Sequence, residues 1–257
     1  MDSIQDFGDQ FNRHQDISGT WGSGKMLEQS VYPFNLKKIK NKAICEVGSG
    51  SGRFLKNFLN FKPESITAID PATSIEIAKK NNTGKNINYL QIDSTKMEIN
   101  NQFDYVFSIG VIHHIPEAEL AVKNIYNSLK NNGEFIMWVY GYENNEIYVF
   151  IFNNLRKILS RLPDLIVEMF SFVFTIASYI YIFFCRFLNL PLKKYFLNVF
   201  NQFSFRHKFY VIFDQLNPKY SKYYKKQEVI KLIEGAKFKI LEIHHRDEYS
   251  WTVIAKK

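Results

Sequence analysis

Glu46-Val47-Gly48-Ser49-Gly50-Ser51-Gly52 is the stretch from which the architecture can be read. Just before it, Ala43-Ile44-Cys45-Glu46-Val47 is a short apolar run of strand type. Just after it, Phe54, Leu55, Phe58 and Leu59 recur at helical spacing. Glycines between a strand and a helix let the backbone turn sharply and approach a ligand closely, with the N–H groups of the helix start facing negative charge. The glycine spacing separates two kinds of turn. The dinucleotide fingerprint G-x-G-x-x-G requires glycine at position 53, where this chain has Arg53. The pattern here is E-x-G-x-G-x-G.

Downstream, short apolar runs alternate with amphipathic stretches as far as Tyr140. Strands are predicted at Ile66–Ile69, Ile87–Ile92, Tyr105–Ile109 and Phe135–Tyr140. Ser74 is placed to cap the helix after the second strand. Ala118, Ala121, Val122, Ile125 and Leu129 share one helical face that stops at Asn131-Asn132-Gly133. Near the end, Glu228–Glu234 reads as a helix, and Phe238–Ile243 and Trp251–Ala255 read as two strands. This alternation predicts an α/β fold with a parallel sheet covered on both faces.

With these stations in order, residues 43–140 resemble a class I S-adenosylmethionine-dependent methyltransferase domain. Five stretches carry the resemblance: the glycine loop, Asp70 at the end of the second strand, Asp93 in Gln91-Ile92-Asp93-Ser94, Phe103-Asp104-Tyr105-Val106-Phe107-Ser108, and Leu129-Lys130-Asn131-Asn132-Gly133-Glu134. The resemblance implies S-adenosyl-L-methionine as cofactor. Gly48, Ser49, Gly50 and Gly52 would meet its methionine part, and Glu46 would order the loop and face the amino end. Asp70, with Pro71, would take the ribose hydroxyls. Asp93, with Ser94, would reach the adenine amino group, and Ile109 and Gly110 would complete the contacts. An ionised carboxylate suits two hydroxyl donors; read alone, Asp70 and Asp93 are equally loop carboxylates that close a strand. The implied architecture is a doubly wound, seven-stranded, mostly parallel Rossmann-like sheet with an antiparallel final strand and a helical, aromatic-rich insertion after strand five. Residues 1–42 would form an N-terminal cap or lid, 43–146 the cofactor-binding core, 147–225 the insertion, and 226–257 the last helix and strands.

On the acceptor side, Ser108-Ile109-Gly110-Val111-Ile112-His113-His114-Ile115-Pro116 follows the fourth strand. It lacks the Asn/Asp-Pro-Pro-Tyr signature of methyltransferases acting on planar amides and base amino groups. Its paired histidines resemble those of small-molecule and lipid-precursor methyltransferases, of a bacterial subgroup, in which the second lies near the transferred methyl. A histidine of near-neutral pKa suits the deprotonation of an acceptor hydroxyl. His114, and behind it His113, are therefore the candidate bases, with a purely structural role in the loop as the alternative. Tyr140, Arg206, His207 and Asp214 are candidate acceptor contacts, with core or surface roles as the alternative for each. Gly19-Thr20-Trp21-Gly22-Ser23-Gly24-Lys25-Met26 nearly spells a phosphate loop but has Met26 where magnesium binding needs Ser or Thr, so a lid or a flexible loop is expected there. His244-His245-Arg246-Asp247 reads as an exposed turn between strands, and no metal site is expected anywhere.

The 257 residues are 46% hydrophobic and 23% charged, which excludes wholesale disorder. A net charge of +8 admits nucleic acid, lipid headgroups or phosphorylated substrates without choosing among them. Two cysteines, Cys45 and Cys185, and a polar, acidic N-terminus fit a reducing, cytoplasmic setting without a secretory signal. The outlier is aromatic content: 19 of the 42 aromatic residues fall between Ile147 and Phe213. Met169–Cys185 carries no charge and approaches the roughly 20 residues of a spanning helix. The strands expected after it must rejoin the sheet begun before it, which argues against a single crossing. A buried helix, a packed lid over an apolar substrate, or a segment at the inner membrane face remains; Arg156, Lys157, Arg161, Arg186, Lys193 and Lys194 bracket the stretch, as anionic lipid would favour or as a solvated rim. The expected activity is methyl transfer to an O atom, less favourably N or C, of a small or lipid-linked acceptor. The alternatives are an RNA methyltransferase, using Lys219, Lys222, Lys225 and Lys226, or a non-catalytic cofactor-binding protein. Oligomeric state is left open.

Overall fold

A computed structural model describes residue 8, residues 17–83 and residues 86–257. The acidic N-terminal stretch, the first part of the expected cap, therefore lies outside the described residues but for residue 8. The elements are α1 (Gly24–Val31), β1 (Ala43–Val47), α2 (Leu55–Leu59), β2 (Ser65–Ile69), α3 (Ser74–Asn81), β3 (Ile87–Leu90), β4 (Phe103–Ile109), α4 (Ala118–Ser128), β5 (Leu129–Tyr140), α5 (Glu146–Leu159), α6 (Asp164–Cys185), α7 (Lys193–Asn198), α8 (Phe205–Leu216), α9 (Lys226–Gly235), β6 (Lys239–Arg246) and β7 (Ser250–Lys256). The strands form one sheet in the order β3-β2-β1-β4-β5-β7-β6, parallel except for β7, which runs antiparallel to both its neighbours. The chain winds outward from β1 to β3, then returns to the middle and winds the other way from β4. The carboxyl ends of β1 and β4 thus flank the switch point at which ligands collect in open α/β sheets.

Two-residue periodicity divides the core between the two faces of the sheet. Ile44, Phe107, Ile136 and Ile254 join Leu27, Leu55, Phe58 and Ile75 from α1–α3 on one side. Their strand neighbours Cys45, Val106, Phe135, Met137 and Val253 join Val122, Ile125, Val229 and Ile233 from α4 and α9 on the other. Strands buried on both sides read as unbroken apolar runs, which is why β1, β2 and β4 were legible in the sequence.

Several expectations need correction. Ser74 does not cap α3: the N-cap is Thr73, without a side-chain cap bond, and Ser74 Oγ instead donates to Asp70 Oδ1 at 3.1 Å. Leu129 belongs to β5 and pairs with Phe103, because α4 stops at Ser128 and the Asn-Asn-Gly segment is carried inside a strand with an irregular register. His244, His245 and Arg246 lie within β6, not in an exposed turn. His245 stacks on Trp251 at 4.0 Å, and Arg246 is buried.

The insertion, α5–α8, covers the carboxyl edge of the sheet, with α5 and α6 both packed on α8. Burial along α6 is inverted from the usual pattern. Its inward stripe is Val167, Ser171, Thr175, Ser178, Ile182 and Cys185, while most of its large apolar side chains face outward. The inward hydroxyls are satisfied within the helix: Ser171, Thr175 and Ser178 donate to the carbonyls of Val167, Ser171 and Thr175 at 2.7, 2.7 and 2.6 Å. Arg156, expected among the charges bracketing the apolar stretch, is instead buried on the inner face of α5. There its Nε donates to the Gln215 carbonyl at 2.8 Å.

Candidate active site

The glycine loop leaves β1 beside the end of β4. At Gly48, φ is +80° and an added Cβ would lie 2.3 Å from Val111 Cγ2. At Gly52, φ is +77° and a Cβ would lie 2.6 Å from Asn82 Nδ2. Both positions exclude other residues, by backbone conformation and by lack of space. Four of the five loop amides are already paired within the protein, where the sequence had suggested N–H groups facing a ligand's negative charge. Gly48 and Ser49 donate to the Ile69 carbonyl at 2.7 and 3.0 Å, Gly50 to Asp70 Oδ2 at 2.8 Å, and Gly52 to the Ser49 carbonyl at 2.8 Å. α2 begins only at Leu55 and has five residues, so it offers no anion site at its start. What the loop supplies is a smooth, close wall held to β2, not a set of free donors.

Asp70 explains that tether. Besides Gly50, its carboxylate accepts from Ala72 N at 3.0 Å and from Ser74 Oγ. Burial pushes its pKa up against the pull of these three donors. Of about four lone-pair directions on a carboxylate, one is left towards the cavity that Asp70 lines. Asp93 caps the short helical turn after β3: Oδ1 accepts from Thr95 N and Thr95 Oγ1 at 2.9 and 2.8 Å. Asn124 pins the same turn from α4 by donating to the carbonyls of Ser94 and Thr95 at 3.0 and 2.9 Å.

Glu46 lies beneath the loop, buried, and its Oε2 has no hydrogen-bond partner among the described residues. Burial raises its pKa from 4.5 to about 8, with Arg53 and Ser49 pulling the other way. This unsatisfied acid is neutral at rest, and a cation brought against Oε2 would favour its ionised form. It also has a consequence for stability. Below pH 4.5 Glu46 is protonated in folded and unfolded chains alike and costs nothing. Between pH 4.5 and about 8 the unfolded chain releases this proton and the folded one does not, so stability falls as pH rises through that window. Glu46→Gln is expected to flatten the fall. The gain is bounded at about 5 kcal/mol at pH 8, and denaturant midpoints measured from pH 5 to 8 read it.

A cavity of about 860 Å³ extends from this loop to the insertion, near the upper end of the roughly 300–1,000 Å³ range of ligand pockets. His114 stands on its wall. Its Nδ1 lies 3.2 Å from the Tyr220 carbonyl, which only accepts, so the proton sits on Nδ1 and the neutral ring carries its lone pair on Nε2. Burial lowers its pKa, while Asp214 and the Tyr220 carbonyl oppose that shift. His113 is behind the wall, fully buried. Its ring nitrogens lack partners among the described residues, its ring is 3.8 Å from that of Tyr140, and burial holds it well below the ordinary histidine range. The Tyr220–Tyr224 segment fixes this loop, since Lys222 N also donates to the His113 carbonyl at 2.8 Å.

Facing His114 is a hydrogen-bonded cluster. Tyr140 Oη donates to Asp214 Oδ2 at 3.1 Å and accepts from Gln215 Nε2 at 2.7 Å; Tyr223 Oη donates to Gln215 Oε1 at 2.6 Å. Burial keeps the Tyr140 phenol protonated by raising its pKa well above the ordinary value. Arg53 also lines the cavity. It makes no hydrogen bond or ion pair among the described residues and lies over the rings of Trp21 and Phe54 at 4.2 and 4.4 Å. Burial lowers its pKa to about 10, so it stays cationic at neutral pH. From Gly48 to Phe203 the remaining wall is mostly apolar.

The structure thus brings Gly48, Ser49, Gly50, Asp70, Pro71, Asp93, Ser94, Ile109, Gly110, His114, Tyr140 and Asp214 to one cavity. Glu46, Gly52, His113 and His207 lie outside its wall, His207 stacked on Trp21, and Arg206 is exposed on α8. Sequence reasoning missed Arg53, Arg156, Gln215 and Arg246. Arg156 left a trace: Val149, Phe152, Arg156 and Leu159 share one helical face, so a charge stands at an inward position of α5. Arg246 left none, because the polar run around it hides the strand.

Residues 45–137 match the model of a methyltransferase domain. The chain is 29% identical over 110 residues to a tRNA U34 carboxymethyltransferase of Helicobacter pylori strain P12, covering 40% of this chain and 42% of that protein. It is likewise 29% identical over 117 residues to the tRNA U34 carboxymethyltransferase of Campylobacter curvus, with 42% and 39% covered. The chain therefore spans about two fifths of the length of these curated relatives. Among solved structures, the 1,6-didemethyltoxoflavin-N1-methyltransferase of Burkholderia thailandensis superposes with a TM-score of 0.55 at 13% identity, covering 99% of this chain and 86% of that one. Human N-acetylserotonin methyltransferase in complex with SAM gives 0.58 at 14%, covering 98% and 56%. Residues 45–137 carry a methyltransferase domain, and the doubly wound sheet described above is the fold of class I S-adenosylmethionine-dependent methyltransferases.

Proposed function

We propose that the protein transfers a methyl group from S-adenosylmethionine to an oxygen of a small or lipid-linked acceptor, with His114 as general base. The observation that carries this reading is the His114 imidazole. It stands on the wall of the cavity that the glycine loop enters, and the Tyr220 carbonyl fixes its tautomer. When bound, the cofactor supplies an activated methyl on a sulfonium, so the protein's part is alignment and removal of a proton. The fit rests on features of this chain. The Gly48 cradle would be filled by any Cβ, the orphaned Glu46 Oε2 suits an ammonium, and Asp70 and Asp93 each keep acceptor capacity towards the cavity.

In this reading Tyr140 and Asp214 position the acceptor, His114 Nε2 takes up the hydroxyl proton, and the Asp214 carboxylate favours the imidazolium that results. The aromatic wall excludes water from the reacting atoms. Trp21 from the N-terminal segment and the insertion helices form the outer wall, which supports the division into cap, core and insertion. The test is incubation with labelled cofactor and fractionated cell extract. Label in lipid or small-molecule fractions is the expected result. Label in RNA alone would move the acceptor to nucleic acid, a reading supported by the names of the relatives but drawn from a match that covers 40% of this chain. Tight cofactor binding with no label anywhere would leave a binding protein.

A further inference from the structure

We propose that the outer faces of α5 and α6 dock on an anionic lipid surface. This goes beyond methyl transfer, and as a route for the acceptor it rests on that reading. The carrying observation is the inverted burial of α6. Leu165, Met169, Val173, Ile176, Ile180 and Phe183 repeat at three- and four-residue spacing, opposite the Ser/Thr-containing inward stripe, and are 48–69% exposed. Only 28% of the helix's most apolar window is buried, so this is not the core helix of a soluble domain. α5 extends the patch with Phe150 and Ile158, 71% and 64% exposed. α6 alone presents this apolar face along about 33 Å of helix, and α5 adds to it from its own place on α8.

Three further features favour lipid as the occupant. Lys157, Arg161 and Arg186 stand exposed at the ends of these helices and form no ion pair among the described residues, so cations rim the apolar face at both ends, beside the half-buried acids Asp164 and Glu168 of the first turns of α6. A second copy packed face to face would set these cations against one another. The cavity also reaches the surface on this side: Ile147 and Ile151 of α5 and Ala177 and Tyr181 of α6 line it. A protein partner across this face would stopper the cavity, whereas a bilayer would open it to an amphipathic acceptor. α6 lies on the surface without crossing. Its inward stripe contacts the domain from Val167 to Cys185, and β7, which follows it in the chain, pairs with β5, which precedes it.

The full chain is to be mixed with vesicles of phosphatidylcholine alone, or of phosphatidylcholine and phosphatidylglycerol in equal parts, and floated at low and high salt. Titration with S-adenosylmethionine runs in parallel. Wild type is expected to float with the mixed vesicles, less with the neutral ones, and to be partly released by salt. Met169→Gln, Ile176→Gln and Ile180→Gln are each expected to weaken vesicle binding roughly tenfold while leaving cofactor affinity unchanged. Arg161→Ser with Arg186→Ser should weaken binding to the mixed vesicles only. Recovery of wild type in the soluble fraction with both vesicles, cofactor binding intact, overturns docking and spares the methyltransferase reading. So does a dimer in sedimentation that dissociates on the glutamine substitutions. Flotation without cofactor binding supports docking and removes the catalytic role.

Discussion

Gly48→Ala is expected to reduce S-adenosylmethionine affinity by at least about a hundredfold and to lower the melting temperature. The new Cβ would fall 2.3, 2.5 and 2.8 Å from Cγ2, Cγ1 and Cβ of Val111. No rotation of the valine relieves contact with its Cβ, so the loop or the end of β4 must move. A left-handed φ of +80° adds strain of about 1–2 kcal/mol, and overpacking typically adds about 1–3 kcal/mol. Both fall where the cofactor and His114 loops meet. Gly48→Ala with Val111→Ala removes the two closest contacts, those to Cγ2 and Cγ1, but neither the 2.8 Å approach to Cβ nor the strain, and should recover part of the lost affinity. Calorimetry on the two variants reads this. Wild-type affinity in Gly48→Ala alone would remove the loop from the binding site.

His114→Ala is expected to lower kcat by about 10²–10⁴, with cofactor affinity within twofold of wild type. Its pKa is held below the ordinary histidine value, so wild-type kcat should rise with pH on the acid side and be level by neutrality. The variant should lack this acid limb. His114→Asn separates chemistry from architecture: asparagine can still donate to the Tyr220 carbonyl, which holds the loop, but cannot accept a proton at neutral pH. If His114→Asn turns over at the wild-type rate, the residue only pins the loop. Rate and pH profile lost in both variants, with the fold intact by circular dichroism, is the outcome expected of a base.

The insertion shows where a linear reading reaches its limit. Its helical character and its wealth of Phe and Tyr were plain in the sequence. Whether Arg156 faced solvent or the core was not, because the side-chain direction depends on Gln215, 59 residues away, whose carbonyl receives its Nε. The same holds at the histidine pair. Two adjacent residues of one type end on opposite sides of a wall, His113 sealed against Tyr140 and His114 on the cavity, and their sequence neighbours are shared. The polar stretch His244–Asp247 misled because exposure was inferred from residue type, whereas β6 pairs it with β7 and α1 covers Arg246 through Ser30 and Gln29.

By itself the sequence determined the strand–glycine turn–helix unit, the alternation that winds the sheet, and the placing of Asp70 and Asp93 at strand ends. Those depend on local backbone geometry and on the two-residue and 3.6-residue periods, which neighbours along the chain carry. Only the tertiary structure decided that the loop amides are already paired, that Glu46 sits neutral beneath them, that His114 rather than His113 faces the cavity, and that α6 turns its large apolar side chains outward. Each of these depends on which distant group satisfies or desolvates a side chain, and no periodicity in the chain encodes that.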